Sequence, residues 1–80
     1  MGYKNPLLKL PAGQALQRLP AELRAPLEAV LRELREQANA EAKNAWSRRK
    51  GPIAAYWRAV STYARHTAHA LRKGPPQPKD

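Results

Sequence analysis

The sequence predicts an all-α protein folded as an antiparallel helical hairpin. Apolar residues recur at three- and four-residue steps over two long stretches, which is the spacing of one face of an α-helix. A Gly-Pro pair at 51–52 separates the two stretches. We therefore expect helices over about 26–49 and 53–73. Two helices of this length joined by a short turn usually pack antiparallel.

Residues 1–19 precede the hairpin and are expected to form an extended or partly helical arm. Pro6 and Pro11 disfavour a continuous helix here, whereas residues 12–19 fit a short helical turn. Three closely spaced leucines give the arm an apolar side with which to pack on another element. The hairpin domain is then expected to cover residues 20–73.

The first long helix is expected to begin near Pro26, with residues 20–25 as a preceding turn or a kinked extension, because proline is accepted in the first turn of a helix and disfavoured in its interior. Its apolar seam is narrow and consists of Leu27, Val30, Leu31, Leu34, Ala38, Ala42, Ala45 and Trp46. After Leu34 the seam is mostly alanine, so a neighbouring helix can approach closely there. Alternating charges mark another side of this helix, at Arg24, Glu28, Arg32 and Glu36.

The segment 47–52 is expected to end the first helix and start the second. Basic residues suit the last turn of a helix, Gly51 can adopt a left-handed conformation, and Pro52 suits a first helical turn. The apolar stripe of the second helix is wider and consists of Ile53, Tyr56, Trp57, Val60, Tyr63, Ala64, Thr67, Ala68 and Leu71. Residues 74–80 are rich in proline and are expected to form a flexible tail.

The wide second stripe predicts a further packing partner. A single neighbouring helix cannot cover it, so either the N-terminal arm folds over it or two chains form a four-helix bundle, and we favour the homodimer. The candidate core or dimer-interface residues are Leu27, Leu31, Leu34, Trp46, Ile53, Tyr56, Trp57, Val60, Tyr63 and Leu71. A chain of 80 residues with 15 alanines has few large side chains for a core, so self-association would help it.

The net charge of +9 is concentrated in the second half of the chain. Residues 42–79 contain nine basic side chains and no acidic one, whereas residues 1–41 contain six basic and five acidic side chains. A polar ridge follows the second helix at steps of four and three residues, and basic residues at both ends extend it. The candidate binding residues are Arg48, Arg49, Lys50, Arg58, Thr62, Arg65, His69, Arg72 and Lys73. Such a ridge can follow a phosphate backbone, which favours sequence-tolerant nucleic-acid binding.

The composition does not favour catalysis, a metal site or a membrane span. The chain has no cysteine, and its two histidines lack a third ligand nearby. We therefore expect no enzymatic activity, no cofactor and no bound metal. No apolar run approaches the roughly 20 residues of a membrane-spanning helix. The absence of cysteine fits a cytoplasmic protein.

Two other functions fit the same residues. One is a small regulator or inhibitor that docks on an acidic surface of a host protein, with Tyr56 and Trp57 beside Arg58 as anchors. The abundance of Ala, Arg and Pro is typical of GC-rich bacterial, plasmid or phage reading frames, and such elements often encode short inhibitors. The other is a membrane-surface amphipathic helix, because the second helix combines Trp and Tyr with basic residues.

Overall fold

The computed structural model describes residues 5–73, which form a short 3-10 helix and three α-helices. The 3-10 helix covers Pro6–Lys9, α1 covers Pro11–Gln17, α2 covers Ala21–Ser47 and α3 covers Gly51–Lys73, and these residues contain no strand. The predicted flexible tail at 74–80 lies outside the described residues.

The two long helices pack against each other along their length and run antiparallel. Two cross-helix hydrogen bonds show the direction, because residues early in α2 meet residues late in α3. The hydroxyl of Ser61 donates to the carbonyl oxygen of Arg35 at 3.2 Å, and a guanidinium nitrogen of Arg24 donates to the carbonyl oxygen of Leu71 at 3.0 Å. The predicted all-α helical hairpin is therefore confirmed.

The first long helix begins earlier than the sequence predicts, at Ala21 and not near Pro26. Pro20 stands just before the helix with an extended ψ of 148°, and its carbonyl oxygen accepts from the N–H groups of Leu23 and Arg24. Pro26 therefore lies in the second turn of α2, where its missing N–H removes a single bond near the end of the ladder. The Arg24 side chain strengthens this end of the helix, because it donates to the carbonyl oxygens of Leu19 and Leu71 at 2.7 and 3.0 Å.

The turn between the long helices lies two residues before the predicted position, at 48–50 and not at 50–52. Arg49 adopts the left-handed conformation with φ of 60°, and Gly51 is already the first residue of α3. The N–H of Lys50 donates to the carbonyl oxygen of Ala45, and the N–H of Arg49 donates to that of Trp46, both at 2.9 Å. These two bonds form a Schellman motif at the end of α2. The assignment of the left-handed position to Gly51 is therefore wrong.

Alanine forms the contact between α2 and α3. The buried apolar side chains are Ala38, Ala42 and Ala45 on α2 and Ala54, Ala64, Ala68, Ala70 and Leu71 on α3. Leu71 is the largest fully buried side chain among the described residues. Side chains this small let the two backbones approach closely, so larger neighbours are displaced to the flanks of the contact.

Most of the large residues predicted to form a core or dimer interface are therefore not buried within a single chain. Leu71 is buried, and Leu31, Trp57 and Val60 are half-buried. The exposed members of the predicted set are Leu27, Leu34, Trp46, Ile53, Tyr56 and Tyr63. These residues are available to a partner or to solvent.

The N-terminal segment is largely helical, since residues 6–17 adopt helical structure apart from Leu10. Both short helices pack on α3. Ala70 is 0% exposed although it lies about 120° around α3 from Ala64, which faces α2. The arm therefore covers the part of α3 around Ala70, whereas Tyr56 and Tyr63 nearer the turn stay exposed.

Gly13 is the residue that lets the arm fold back on itself. It is buried, and a Cβ built on it would overlap the carbonyl oxygen of Leu7. We expect Gly13→Ala to force the 3-10 helix away from α1 and to lower the free energy of unfolding by about 1–3 kcal/mol, the usual effect of overpacking. Chemical denaturation followed by circular dichroism measures this change.

Gly51→Ala is the matched control for that substitution. No atom lies within 4 Å of a Cβ built on Gly51, and alanine has the higher helix propensity. The control should melt at or slightly above the temperature of the unmodified chain. Equal stability of the two alanine variants would contradict the proposed packing of the arm.

Candidate nucleic-acid interface

A groove lined by arginine runs along one side of the hairpin, between α2 and α3. Its central part has a volume of about 320 Å³ and is lined by Glu28, Arg32, Arg35, Arg65, Ala68, His69 and Arg72. Toward the turn it continues past Asn39, Ser61 and Thr62, sharing Arg35 and Arg65 with the central part. Toward the open end of the hairpin it continues past Arg24, sharing Glu28 and Arg72. We call this feature the arginine groove.

Helical periodicity explains why the side chains from each helix line up. Arg58, Arg65 and Arg72 follow one another at seven-residue steps, which are two helical turns and about 10 Å along α3. On α2, Arg32 and Asn39 are also seven residues apart. Because the helices are antiparallel, these two rows of polar side chains flank the same groove.

Glutamates on α2 partly neutralise the groove. Arg32 forms an ion pair with Glu28 at 3.0 Å, and the Glu28 side chain is only 12% exposed. Arg35 forms one with Glu36 at 2.6 Å on a more exposed part of the surface. The other wall of the groove differs, because α3 contains no acidic residue. The wall formed by α3 is therefore the more basic of the two.

The structure brings four of the predicted binding residues together and places the others nearby. Thr62, Arg65, His69 and Arg72 line the arginine groove. Arg58 is exposed on the same row of α3. The three basic residues at 48–50 are exposed at the turn. Lys73 is the last residue of α3, and its side chain is outside the described part of the structure.

Sequence reasoning does not identify Arg32 and Arg35 as residues that line the groove. The sequence pattern places Arg32 only in a ladder of alternating charges and gives Arg35 no role. The signal that could have identified them is the antiparallel register. Residues of α2 and α3 whose numbers add up to about 96 lie opposite each other, as Arg35 and Ser61 do. This register places Arg32 opposite the stretch of α3 that contains Arg65.

His69 is held at the edge of the groove by the N-terminal arm. The side-chain amide of Asn5 donates to the carbonyl oxygen of His66 at 2.6 Å and lies 3.2 Å from Nδ1 of His69. The Asn5 side-chain oxygen accepts from the N–H of Leu7 at 3.0 Å, so the amide nitrogen faces α3. These contacts fix the position of the arm against the last two turns of α3.

The titration of His66 links the stability of the fold to pH. Burial, and secondarily the charge of Arg65, lowers the pKa of His66 from its ordinary value. Because the unfolded chain then binds a proton more readily, we expect stability to be complete above pH 6.5 and to fall as the pH decreases through the folded pKa.

Thermal unfolding at a series of pH values tests this expectation. The melting temperature of the unmodified chain should fall below pH 6.5, and His66→Gln should reduce the dependence. A melting temperature that stays constant between pH 7.5 and 5 would show that neither histidine is linked to folding.

An apolar face lies on the opposite side of the hairpin. At about 100° per residue, the groove residues Arg32, Arg35 and Asn39 lie on one side of the Ala38 direction. The exposed large apolar residues lie on the other side, and they are Leu23, Leu27, Val30 and Leu34 on α2 and Ile53, Tyr56 and Tyr63 on α3. On α3, the arginines likewise lie on one side of the Ala64 direction, and Ile53, Tyr56 and Tyr63 lie on the other. The hairpin therefore has one basic side and one apolar side.

Trp46 belongs to the basic side. It lies about 80° from Ala38 in the direction of Arg32 and Asn39, and it is 69% exposed. The structure thus separates Trp46 from the other residues that were assigned with it to a core or dimer interface.

Within residues 5–73, no three His, Asp or Glu side chains come close enough to hold a metal ion. No helix in this range has both the length and the hydropathy needed to cross a bilayer. No protein family matches the chain, and neither a curated protein nor a solved structure shows significant similarity to it.

Proposed function

We propose that this chain is a sequence-tolerant nucleic-acid-binding protein whose arginine groove holds the phosphate backbone. The observation that carries the proposal is the convergence of Arg32, Arg35, Arg65 and Arg72 from two helices on one continuous groove. Guanidinium groups bind phosphate oxygens in bidentate fashion, and four of them along one groove suit a chain of phosphates better than a single anion.

The distribution of charge supports a polyanionic ligand. At about 100° per residue, every Lys and Arg of α2 and α3 between residues 21 and 72 lies on the same side of its helix as the arginine groove. Glu22, Glu33 and Glu41 lie on the other half. A protein that used these cations only for solubility would gain nothing from placing them on one side. The groove offers few amides for reading bases, which favours binding without sequence preference.

Binding titrations at two salt concentrations test the proposal. We expect labelled DNA and RNA of unrelated sequence to bind with similar affinity, measured by fluorescence anisotropy. The logarithm of the binding constant should fall linearly with the logarithm of salt concentration, with a slope near 0.7–0.9 per phosphate contacted. Absence of binding at low salt would contradict the proposal and would favour docking on an acidic protein.

The apolar face supports a second proposal, that two chains associate through it. Its seven side chains are 38–62% exposed. They present roughly 700 Å² if a large side chain has about 200 Å². This is close to the ~800 Å² that each partner contributes to a standard interface. Association through this face turns the two arginine grooves outward, so that the like charges stay apart. By helical phase Glu41 lies within this face toward the turn and Glu33 lies beyond its edge, which makes the face less suited to an anionic membrane.

Sedimentation equilibrium measures this association. The unmodified chain should be dimeric at micromolar concentration, and Val30→Glu should make it monomeric, because the charge would be desolvated in the interface. Ala29→Glu is the matched control, since Ala29 is exposed on the outer side of α2 away from α3. A monomeric unmodified chain, or equal effects of the two glutamates, would contradict the proposed dimer.

A further inference from the structure

A second recognition feature lies at the turn end of the hairpin, on the same side as the arginine groove. Trp46, Ser47, Arg49 and Gly51 line a pocket of about 560 Å³. This volume is within the range of about 300–1,000 Å³ that is typical of ligand pockets. Trp46 is 69% exposed and is the most exposed of the large apolar side chains in the described residues.

The fold leaves the indole of Trp46 uncovered. Gly51 has no side chain, and no atom lies within 4 Å of a Cβ built on it, so the pocket beside the ring is open. Ala54 on the next turn of α3 is small and buried. The apolar face is on the other side of the hairpin, and an association of two chains through that face leaves Trp46 exposed. Tryptophan is usually among the more buried residues, so this exposure requires an explanation.

Positive charge surrounds the pocket. Arg48, Arg49 and Lys50 are all exposed, and Arg49 lines the pocket itself. The φ of 60° at Arg49 is a conformation that favours glycine or asparagine, and it is the only positive φ of a non-glycine residue in the described structure. The chain therefore keeps a cationic side chain at a position where glycine would be less strained.

We propose that Trp46 stacks on an unpaired base and that the preferred ligand is single-stranded nucleic acid. This inference rests on the proposed function, because the phosphates of the same strand occupy the arginine groove. An aromatic ring beside cations is the arrangement with which proteins bind single strands without sequence preference. Bases within a duplex have neighbours on both faces, so a duplex offers no free base to the indole except at its ends.

The position of Trp46 suits a strand that follows the groove. Arg32, Asn39 and Trp46 follow one another at seven-residue steps. They therefore lie on nearly one line along α2, with about 10 Å between neighbours. A strand held by the central arginines reaches the indole by continuing along this line. Arg49 then contacts the phosphate next to the stacked base.

The experiment compares two single strands of equal length, oligothymidylate and a strand in which abasic units replace the bases. Fluorescence anisotropy gives the affinity of the unmodified chain, Trp46→Leu and Trp46→Phe for each strand, and oligouridylate repeats the test with RNA. We expect Trp46→Leu to weaken binding to oligothymidylate about tenfold and to leave the abasic strand and a duplex unaffected. Trp46→Phe should retain most of the affinity, because a phenyl ring can also stack.

The possible outcomes separate this inference from the proposed function. Salt-dependent binding of every ligand with no loss in Trp46→Leu would overturn the stacking role and leave the groove proposal standing. An equal loss on the oligothymidylate and abasic strands would also overturn it, since the ring would then act without a base. No binding of any strand by the unmodified chain would overturn both proposals.

Arg49→Gly provides an independent check on the pocket. Glycine relieves the left-handed conformation, so this variant should melt at a higher temperature than the unmodified chain. It should nevertheless bind oligothymidylate more weakly and show a salt slope smaller by about 0.7. Unchanged affinity and slope would remove Arg49 from the proposed site.

Discussion

Reversal of charge at Arg35 and Arg65 together should reduce nucleic-acid affinity more than any other pair of substitutions. These two residues line both the central and the turn-side parts of the arginine groove, one from each helix. Their replacement by glutamate removes two phosphate contacts and adds repulsion at the middle of the binding path. We expect a loss of at least a hundredfold near 0.1 M salt, measured by anisotropy, with a salt slope lower by about 1.4–1.8.

A control with the same change in net charge is available in the N-terminal segment. Lys9 and Arg18 are both exposed and lie outside the groove. Lys9→Glu with Arg18→Glu should lower affinity only modestly, through the long-range field of the molecule. If both pairs lower affinity equally, net charge and not the groove determines binding. Circular dichroism should show unchanged helix content for both pairs.

Enlarging a buried alanine should have the largest effect on stability. Ala42 is 1% exposed in the centre of the contact between α2 and α3. A leucine there has no space unless the helices move apart, and the close contact along neighbouring alanines would be lost with it. We expect Ala42→Leu to lower the free energy of unfolding by about 3 kcal/mol, at the upper end of overpacking effects. For a domain this small, such a loss is a large part of the total.

Ala40→Leu is the matched control, because Ala40 is exposed on the same helix two residues away. It adds the same atoms at nearly the same helix propensity and should change stability by less than about 0.5 kcal/mol. Urea denaturation compares the two variants directly. If Ala42→Leu were as stable as Ala40→Leu, the alanine contact would not determine how closely the helices pack.

The helical stretches and the hairpin could be predicted because apolar spacing and a break near residue 50 are local signals. The beginning of α2 could not be predicted in the same way. Pro26 destabilises the helix only slightly, because the helix starts only five residues before it. The hydrogen bonds of the Arg24 side chain add stability that depends on the folded structure. The left-handed residue was misassigned for a similar reason. Gly51 is the better residue for that conformation, but the helix boundary places Arg49 there.

The face of each helix that meets the other was harder to predict than the helices themselves. On α2, leucines and alanines form two adjacent lines, and periodicity alone does not show which line faces the partner. Large residues usually form the core of a helix pair. In this protein the small side chains of Ala38, Ala42 and Ala45 form it, and Leu27 and Leu34 are exposed. For the candidate site, the α3 row was predictable from an acid-free sequence. The α2 wall required the pairing register, which only the folded chain provides.

If the groove binds a polyanion as proposed, the position of the Lys and Arg side chains of α2 and α3 on one side of the hairpin also affects how fast the two molecules meet. The uneven placement of these cations adds a dipole across the short dimension of the hairpin to the net charge of +9. As the protein diffuses toward a negative chain, this dipole turns the groove toward it before contact, so fewer encounters are lost to wrong orientations. Oriented encounters raise the association rate constant, whereas the dissociation rate depends on the contacts made in the groove. Under the proposed function, the sided arrangement of charge thus acts on the approach of the two molecules, before any guanidinium touches a phosphate.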